Sequence, residues 1–418
     1  MILLQKNTHA GADLMESISI NKSYKNERLL INYLILVFYI ITAFLMSYLL
    51  TNEYLKTSIF YCSILLLAVL FASLAEHTNN TLIFHFCMFA SFFMLFFTYG
   101  FRNFSAIDDP SYIGIFENTL SLGWFEYFKS STIEPGYLIL NDIVGTFTDD
   151  YLFMQLITSF IPLFIFYYAF NKYKKLISLP MAVFLLCSML YFQMLSVALV
   201  RMFIAISIIF LALGYIPERR PVKYITLTLI ATFFHYSAFI MILLSYFAIN
   251  KKNLSKKVSR IYTSLFLLSP FVFIAISKLV VPILGSRYQQ YGSINYGINF
   301  DFSTFSTVPL IFLLLFFIKK FKDKEQLYFK FFLFVYAISV IISLFGGMTN
   351  LGRLIFYSYA AFIFCASMVS NKIRFNTSKI IFTSIVIFYG FLYLFYSQFT
   401  NEQHIPYLFP YNNILFTL

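Results

Sequence analysis

Residues 181–213 read MAVFLLCSMLYFQMLSVALVRMFIAISIIFLAL, 33 positions with one charge, Arg201. As a single helix at 1.5 Å per residue this run would be about 50 Å long, well beyond a hydrocarbon layer of about 30 Å. Both of its flanks are basic, at 172–175 and 219–223. Basic flanks belong on the cytoplasmic side of a membrane, so both ends should lie on the same side. The run is therefore predicted to be a hairpin that turns near residues 193–196. That turn puts Arg201 near the outer end of the returning helix. A guanidinium in a membrane helix costs about 2.5–3.5 kcal/mol on insertion scales. It cannot shed its proton to escape. Arg201 needs a partner, a wet cavity or an anionic ligand.

The rest of the chain repeats this apolar character. Of 418 residues 60% are hydrophobic, 56 are Phe and only 11% are charged; mean hydropathy is +0.78. A soluble chain would carry roughly 25% charged residues. The fold class expected is all-α, a polytopic membrane protein with about 12–14 transmembrane helices. The alternation of a transmembrane barrel is absent. The polar residues 1–28 lack the apolar core of a cleavable signal and are expected to form a cytoplasmic tail. One membrane domain should run from 29 to 398, with an outer-face tail at 399–418. Cys62, Cys87, Cys187 and Cys365 fall in apolar spans without metal-type spacing and read as small core residues.

The net charge of +12 does not indicate nucleic acid, because the basic residues sit in short breaks at 22–28, 172–175, 219–223, 251–260, 319–324 and 372–379. Placing those breaks inside orders thirteen spans: 29–50, 59–75, 82–100, 150–170, 177–193, 197–215, 224–234, 237–249, 261–284, 306–318, 327–345, 354–370 and 380–398. In this map 23 of the 30 Lys and Arg and seven of the 18 acids are inside, a net +16 against −4 outside. Residues 224–249 are again flanked by basic breaks. They are expected to split at His235–Tyr236 into two short halves, which a membrane tolerates only inside protein or along a cavity. Long outer loops are expected at 101–149 and 285–305. The first carries helix-start signals at Asp109-Pro110, with Asp109 as the cap, and at Glu134-Pro135-Gly136.

Motifs for nucleotide, dinucleotide, zinc or serine-hydrolase chemistry are missing from the sequence. No cofactor and no metal is expected. The candidate residues lie at the outer face. Arg102, Arg201, Arg287 and Arg353 each sit near the outer end of a span. Their planar forks suit phosphate and pyrophosphate, and Asp108, Glu134 or Asp301 are alternative carboxylate partners. His235, in Phe-Phe-His-Tyr-Ser, is a candidate base, or else a helix-breaking residue satisfied by its neighbours. Asp108-Asp109 reads as a divalent-metal pair or, more simply, a helix cap. Glu134 is a cap, an arginine partner or a sugar-binding carboxylate. His85 reads as structural, without polar company. Trp124, Phe125, Tyr127, Tyr288 and Tyr291 suit sugar stacking or anchoring at the membrane interface.

Over roughly residues 95–360 the chain resembles the EpsG-type polysaccharide polymerases, relatives of the Wzy O-antigen and capsule polymerases. The resemblance rests on Gly100-Phe101-Arg102 followed by Asp108 and Tyr112, on Glu134-Pro135-Gly136-Tyr137, on Arg201 with Ala205, on Phe234-His235-Tyr236-Ser237, and on Arg353 with Tyr357. One departure is Met202, where the family often has Gln. The resemblance implies a GT-C-like glycosyltransferase of the bacterial cytoplasmic membrane. It implies transfer of a growing glycan from undecaprenyl diphosphate to a sugar hydroxyl of the next lipid-linked repeat unit at the outer face. His235 would be the first candidate for the base and Glu134 the second. Arg201 and Arg353, assisted by Arg102 and Arg287, would hold the pyrophosphate. Asp108, Tyr112, Tyr137 and Tyr357 would position sugar. The expected partners are the lipid-linked oligosaccharide, the bilayer, a flippase and a chain-length regulator.

Two rival functions use similar residues. A flippase for the same lipid-linked sugar would also have broken helices and a cationic cavity, and its loss would trap repeats on the inner face. A membrane O-acyltransferase would leave polymer length intact and remove only an ester.

Overall fold

The computed structural model describes residues 53–103, 106–245, 307–344, 355–373, 377–394 and 411–417. Arg287, Arg353, Asp301, Tyr288, Tyr291 and the expected span at 29–50 lie outside these residues. The helices are α1 (Glu53–His77), α2 (Thr81–Gly100), α3 (Asp109–Leu122), α4 (Trp124–Ser130), α5 (Pro135–Gly145), α6 (Tyr151–Tyr173), α7 (Leu179–Leu186), α8 (Phe192–Val197), α9 (Val200–Leu213), α10 (Pro221–Phe234), α11 (Val308–Leu315), α12 (Asp323–Leu344), α13 (Ile355–Lys372) and α14 (Thr377–Leu394). A π-helical turn, Cys187–Tyr191, joins α7 to α8, and a 3₁₀ helix, Tyr236–Leu244, follows α10. The two short strands β1 (Asn412–Asn413) and β2 (Phe416–Thr417) pair antiparallel. The protein is an all-α polytopic membrane protein. By length and composition α1, α2, α6 and α14 are each apolar and long enough to cross a bilayer.

The apolar run at 181–213 forms the hairpin expected of it, with the turn slightly later than predicted. The break falls at Ala198, whose φ of 56° and ψ of 43° are left-handed. That conformation costs a non-glycine residue about 1–2 kcal/mol. Ala198 is completely buried, so packing holds it there. The arms run in opposite senses. At one end of the bundle the Glu76 carboxylate accepts the Leu179 amide at 2.5 Å, capping the start of α7. At the other, Tyr191 donates to the Leu95 carbonyl and Tyr99 donates to Met194. The returning arm begins beside the loop residues Glu134 and Tyr112 and ends with Gly214 against Tyr173.

Helix α9 is apolar on every side, and a helix of that kind belongs in a core. All of it is buried except Arg201 and Leu211. It packs against α6, α10 and α13. The outer layer is inside-out relative to a soluble protein. Leu82, Phe86, Phe89 and Phe93 of α2 and Phe153, Ile157, Phe160 and Phe164 of α6 are exposed stripes at helical spacing. Thr158 and Ser159 of α6 point inward and close on carbonyls one turn back.

The second break also falls where expected. Helix α10 stops at Phe234, His235 is extended, and the 3₁₀ helix folds back so that Tyr224 donates to the Met241 carbonyl. The basic breaks meet at one end of the bundle: Asn371 donates to Lys175, Lys172 pairs with Glu218, and Lys372 pairs with Glu325. The 101–149 loop caps the opposite end.

Three expectations are corrected. The Asp109 carboxylate does not cap α3. The cap position is Asp108, without a side-chain cap bond, because Asp109 is held by Arg102. His85 does have polar company: its Nδ1 lies 2.8 Å from the Tyr167 hydroxyl. Of the cysteines, Cys87, Cys187 and Cys365 are buried but Cys62 is exposed.

Gly214 is required by packing: a Cβ there would lie 1.7 Å from the Tyr173 hydroxyl, and Tyr173 is enclosed. Gly214→Ala should therefore lower stability by about 1–3 kcal/mol, through overpacking. The Tyr173 hydroxyl has no hydrogen-bond partner among the described residues, so Tyr173→Phe should cost less than about 1 kcal/mol. Melting of the detergent-purified variants checks both.

Candidate active site

The 101–149 loop builds its face of the site from α3 and α5, which meet the peptide between α10 and the 3₁₀ helix. Pro135 opens α5, leaving Glu134 in the cap position with φ −66° and ψ 138°. Its side chain makes no cap bond, so the carboxylate is spent elsewhere. Gly136 allows α5 to sit directly on the last turn of α10: a Cβ would meet the Phe233 carbonyl oxygen at 2.7 Å. That close approach sets Glu134 beside the His235–Tyr236 peptide, and its Oε1 accepts the Tyr236 amide at 3.4 Å.

Oε2 of the same carboxylate is ion-paired with Arg201 Nη1. Glu134 is 5% exposed, while the Arg201 side chain is 22% exposed. The pair lies where the 101–149 loop meets the bundle, with the carboxylate enclosed and the arginine side chain partly exposed. Arg201 Nε donates to the Tyr112 hydroxyl at 3.5 Å. Tyr112 meets Tyr137 edge to face, ring centroids 5.5 Å apart. Tyr137 is fully enclosed, and burial raises its phenol well above the ordinary value, so it stays a neutral hydroxyl.

One peptide from Glu134, His235 Nδ1 faces Ser237, 3.3 Å from its amide and 2.9 Å from its hydroxyl. The Ser237 hydroxyl is 3.1 Å from that of Tyr357 on α13. One connected set thus runs Tyr112, Arg201, Glu134, the Tyr236 amide, His235, Ser237 and Tyr357. It joins the loop, α9, the α10 break and α13, elements separated by up to 245 positions. A sequence model of the EpsG family matches residues 85–413.

The chain belongs to the EpsG family. Membership points to a polysaccharide-polymerase type of function and a glycosyltransferase-like activity in a membrane. No curated protein and no solved structure matches the chain. In this EpsG-family chain five of the expected site residues, Arg201, Glu134, His235, Tyr112 and Tyr357, are joined through single contacts. Tyr137 supports Tyr112 from behind. Asp108 stands at the start of α3, partly exposed. Arg287 and Arg353 lie outside the described residues.

Arg102 is placed differently from the expectation. Its Nη2 and Nε grip both oxygens of Asp109 at 2.6 and 3.2 Å, and Nη1 donates to the Tyr99 carbonyl at 2.7 Å. The guanidinium also stacks 4.5 Å from the Tyr99 ring and is 1% exposed. A ligand would have to displace Asp109 and open the packing to reach it. Gln155 holds the Gly100 and Arg102 carbonyls from α6. The C-terminal hairpin docks here. Ile414 donates to the Phe101 carbonyl, and Tyr411 is buried against Phe60 and Tyr61. Ser237 lies within the Phe234-His235-Tyr236-Ser237 motif without a role of its own, and Gln155 and Tyr411 carry no local sequence signal.

Arg102–Asp109 is a buried pair, and breaking one partner strands a charge. Asp109→Asn or Arg102→Ala should cost about 3–5 kcal/mol, seen as loss of folded protein from membranes. Replacing both with apolar residues of similar volume should recover much of that loss. Gly136→Ala should leave the protein in the membrane and depress activity, because the clash moves the Glu134–Tyr236 junction. Comparing protein level with polymer yield separates the two classes of variant.

Proposed function

We propose that the chain is a repeat-unit polymerase at the outer face of the bacterial cytoplasmic membrane. It transfers a growing glycan from undecaprenyl diphosphate to a sugar hydroxyl of the next lipid-linked repeat. The observation that carries this reading is the Arg201–Glu134 pair where the 101–149 loop meets the bundle: a partly exposed arginine from an apolar helix against an enclosed carboxylate. Intramembrane charges of this kind mark substrate sites.

The chemistry asks for these two groups. The acceptor oxygen attacks the anomeric carbon of the donor sugar as the bond from that carbon to the diphosphate oxygen breaks. The electron pair of that bond leaves with the diphosphate. Negative charge builds there, and a preorganised guanidinium in a poorly hydrated site stabilises it. Arginine forks match phosphate oxygens and keep their charge in that setting. In this reading Arg201 supplies the positive charge without a metal. The acceptor's proton must pass to a base, and Glu134 and His235 stand one peptide apart to receive it. When the diphosphate takes a share of Arg201, a Glu134 oxygen is released from the ion pair. Arg102 leaves the ligand set and becomes the strut that fixes the start of the loop. Arg353 and Arg287 keep their proposed part as further pyrophosphate ligands.

Arg201→Ala should abolish long chains, a loss of at least about 10²-fold for a missing charge-stabilising donor. Lipid-linked single repeats should accumulate on the outer face. The double variant Arg201→Ala with Glu134→Gln removes the stranded carboxylate, so it should accumulate in the membrane and still make no polymer. Polysaccharide sized on a gel, with lipid-linked intermediates extracted from the same cells, reads both. A wild-type ladder in the double variant overturns the polymerase role of the pair. Repeats trapped on the inner face identify a flippase, and full-length polymer lacking an ester identifies an acyltransferase.

A further inference from the structure

The site holds two candidates for the base, and the hydrogen bonds around His235 distinguish them. The His235 ring accepts the Ser237 amide at the start of the 3₁₀ helix. A backbone amide can only donate, so Nδ1 carries a lone pair, not a proton. The neutral ring therefore bears its proton on Nε2. The Ser237 hydroxyl, 2.9 Å from Nδ1, has a single proton, and it goes to that same lone pair. Its oxygen is then left to accept from the Tyr357 hydroxyl at 3.1 Å. Tyr357 is completely enclosed. The chain of donors has one direction: Tyr357 to Ser237 to His235.

That direction has a chemical consequence. A ring protonated at Nε2 gives a hydrogen bond there, and its basic lone pair, on Nδ1, is already taken by Ser237. For Nε2 to act as a base, the proton would have to sit on Nδ1, facing the Ser237 amide and depriving the 3₁₀ helix of its cap. Two donors on Nδ1 also draw electron density from the ring and strengthen Nε2–H as a donor. Glu134 has neither constraint. Its carboxylate is acceptor-only, with lone pairs beyond those used by Arg201 and Tyr236.

Resting on the polymerase reading, we infer that His235 works as a neutral Nε2–H donor and not as the base. Ser237 and Tyr357 are the positioning residues that keep it in that form, and Glu134 takes the acceptor's proton. The proton balance is simple. The hydroxyl proton moves to Glu134, and the ring of His235 gains and loses none.

The test pairs an activity comparison with a direct view of the ring. In membranes reconstituted with lipid-linked repeat, His235→Gln replaces the ring with an amide that donates but has no basic nitrogen. It should retain at least about tenfold more activity than His235→Ala, since one stabilising donor is worth about 10²–10³. Glu134→Gln should fall by at least about 10²-fold, the usual contribution of a base. Ser237→Ala should lower kcat with KM unmoved, and Ser237→Thr should restore it. Independently, nitrogen NMR of histidine-labelled protein, taken as wild type minus His235→Gln, should show a lone-pair Nδ1 and a protonated Nε2. A protonated Nδ1 in the wild type, or equal loss in His235→Gln and His235→Ala, overturns the inference. If the wild type makes no polymer the polymerase reading fails, and the ring's form is still decided by the spectrum.

Discussion

The contact between Arg201 and Glu134 is the interaction on which the arrangement of this protein turns. A guanidinium inside an apolar hairpin carries a desolvation cost that one partner must offset. That partner comes from a loop 67 positions earlier. To deliver it, the loop must fold over the end of the bundle, α5 must start at Pro135, and Gly136 must let α5 touch α10. The same carboxylate accepts the Tyr236 amide, so the broken α10 segment is drawn to the same place. One carboxylate thus joins three parts of the chain that otherwise meet only as neighbours in a bundle.

The two ion pairs at the loop end of the bundle have opposite characters although both are Arg–carboxylate contacts. Arg102 and Asp109 grip each other with side-chain exposures of 0% and 2%, backed by Tyr99 and by carbonyls held from α6. That pair is closed on every side. Arg201 keeps 22% of its side chain open. A buried pair is weak evidence for stability, but a pair with one open partner can exchange that partner for a ligand. The distinction lies in how much of each guanidinium is already spoken for.

The breaks in α7–α9 and α10 serve the same end. A left-handed residue at Ala198 and an extended residue at His235 both interrupt apolar helices at the loop end of the bundle. Backbone that leaves helical geometry at membrane depth must find internal partners. Around His235 the ring accepts the Ser237 amide and Glu134 accepts that of Tyr236, so a group that repairs the break also sets the ring's chemistry.

The amino-acid sequence by itself determined the class of fold, the hairpin within residues 181–213, the split at His235 and the separation of a basic end from a loop end. Those follow from hydrocarbon thickness and from where lysine and arginine are tolerated, both of which act locally. It also singled out Arg201, Glu134 and His235, because polar groups in apolar surroundings are conspicuous one at a time. It could not decide which arginine faces a ligand, since Arg102 and Arg201 both stand near the outer end of a span expected from the sequence. Their difference comes from their partners: Asp109 and the Gln155-held carbonyls in one case, Glu134 where the loop meets the bundle in the other. Nor could it reveal that the Ser237 hydroxyl engaging Nδ1 of His235 is itself met by Tyr357, because that depends on α13 reaching the break in α10. Tertiary structure alone decides such contacts, because hydrogen bonds and ion pairs are fixed by distances between segments the sequence leaves far apart.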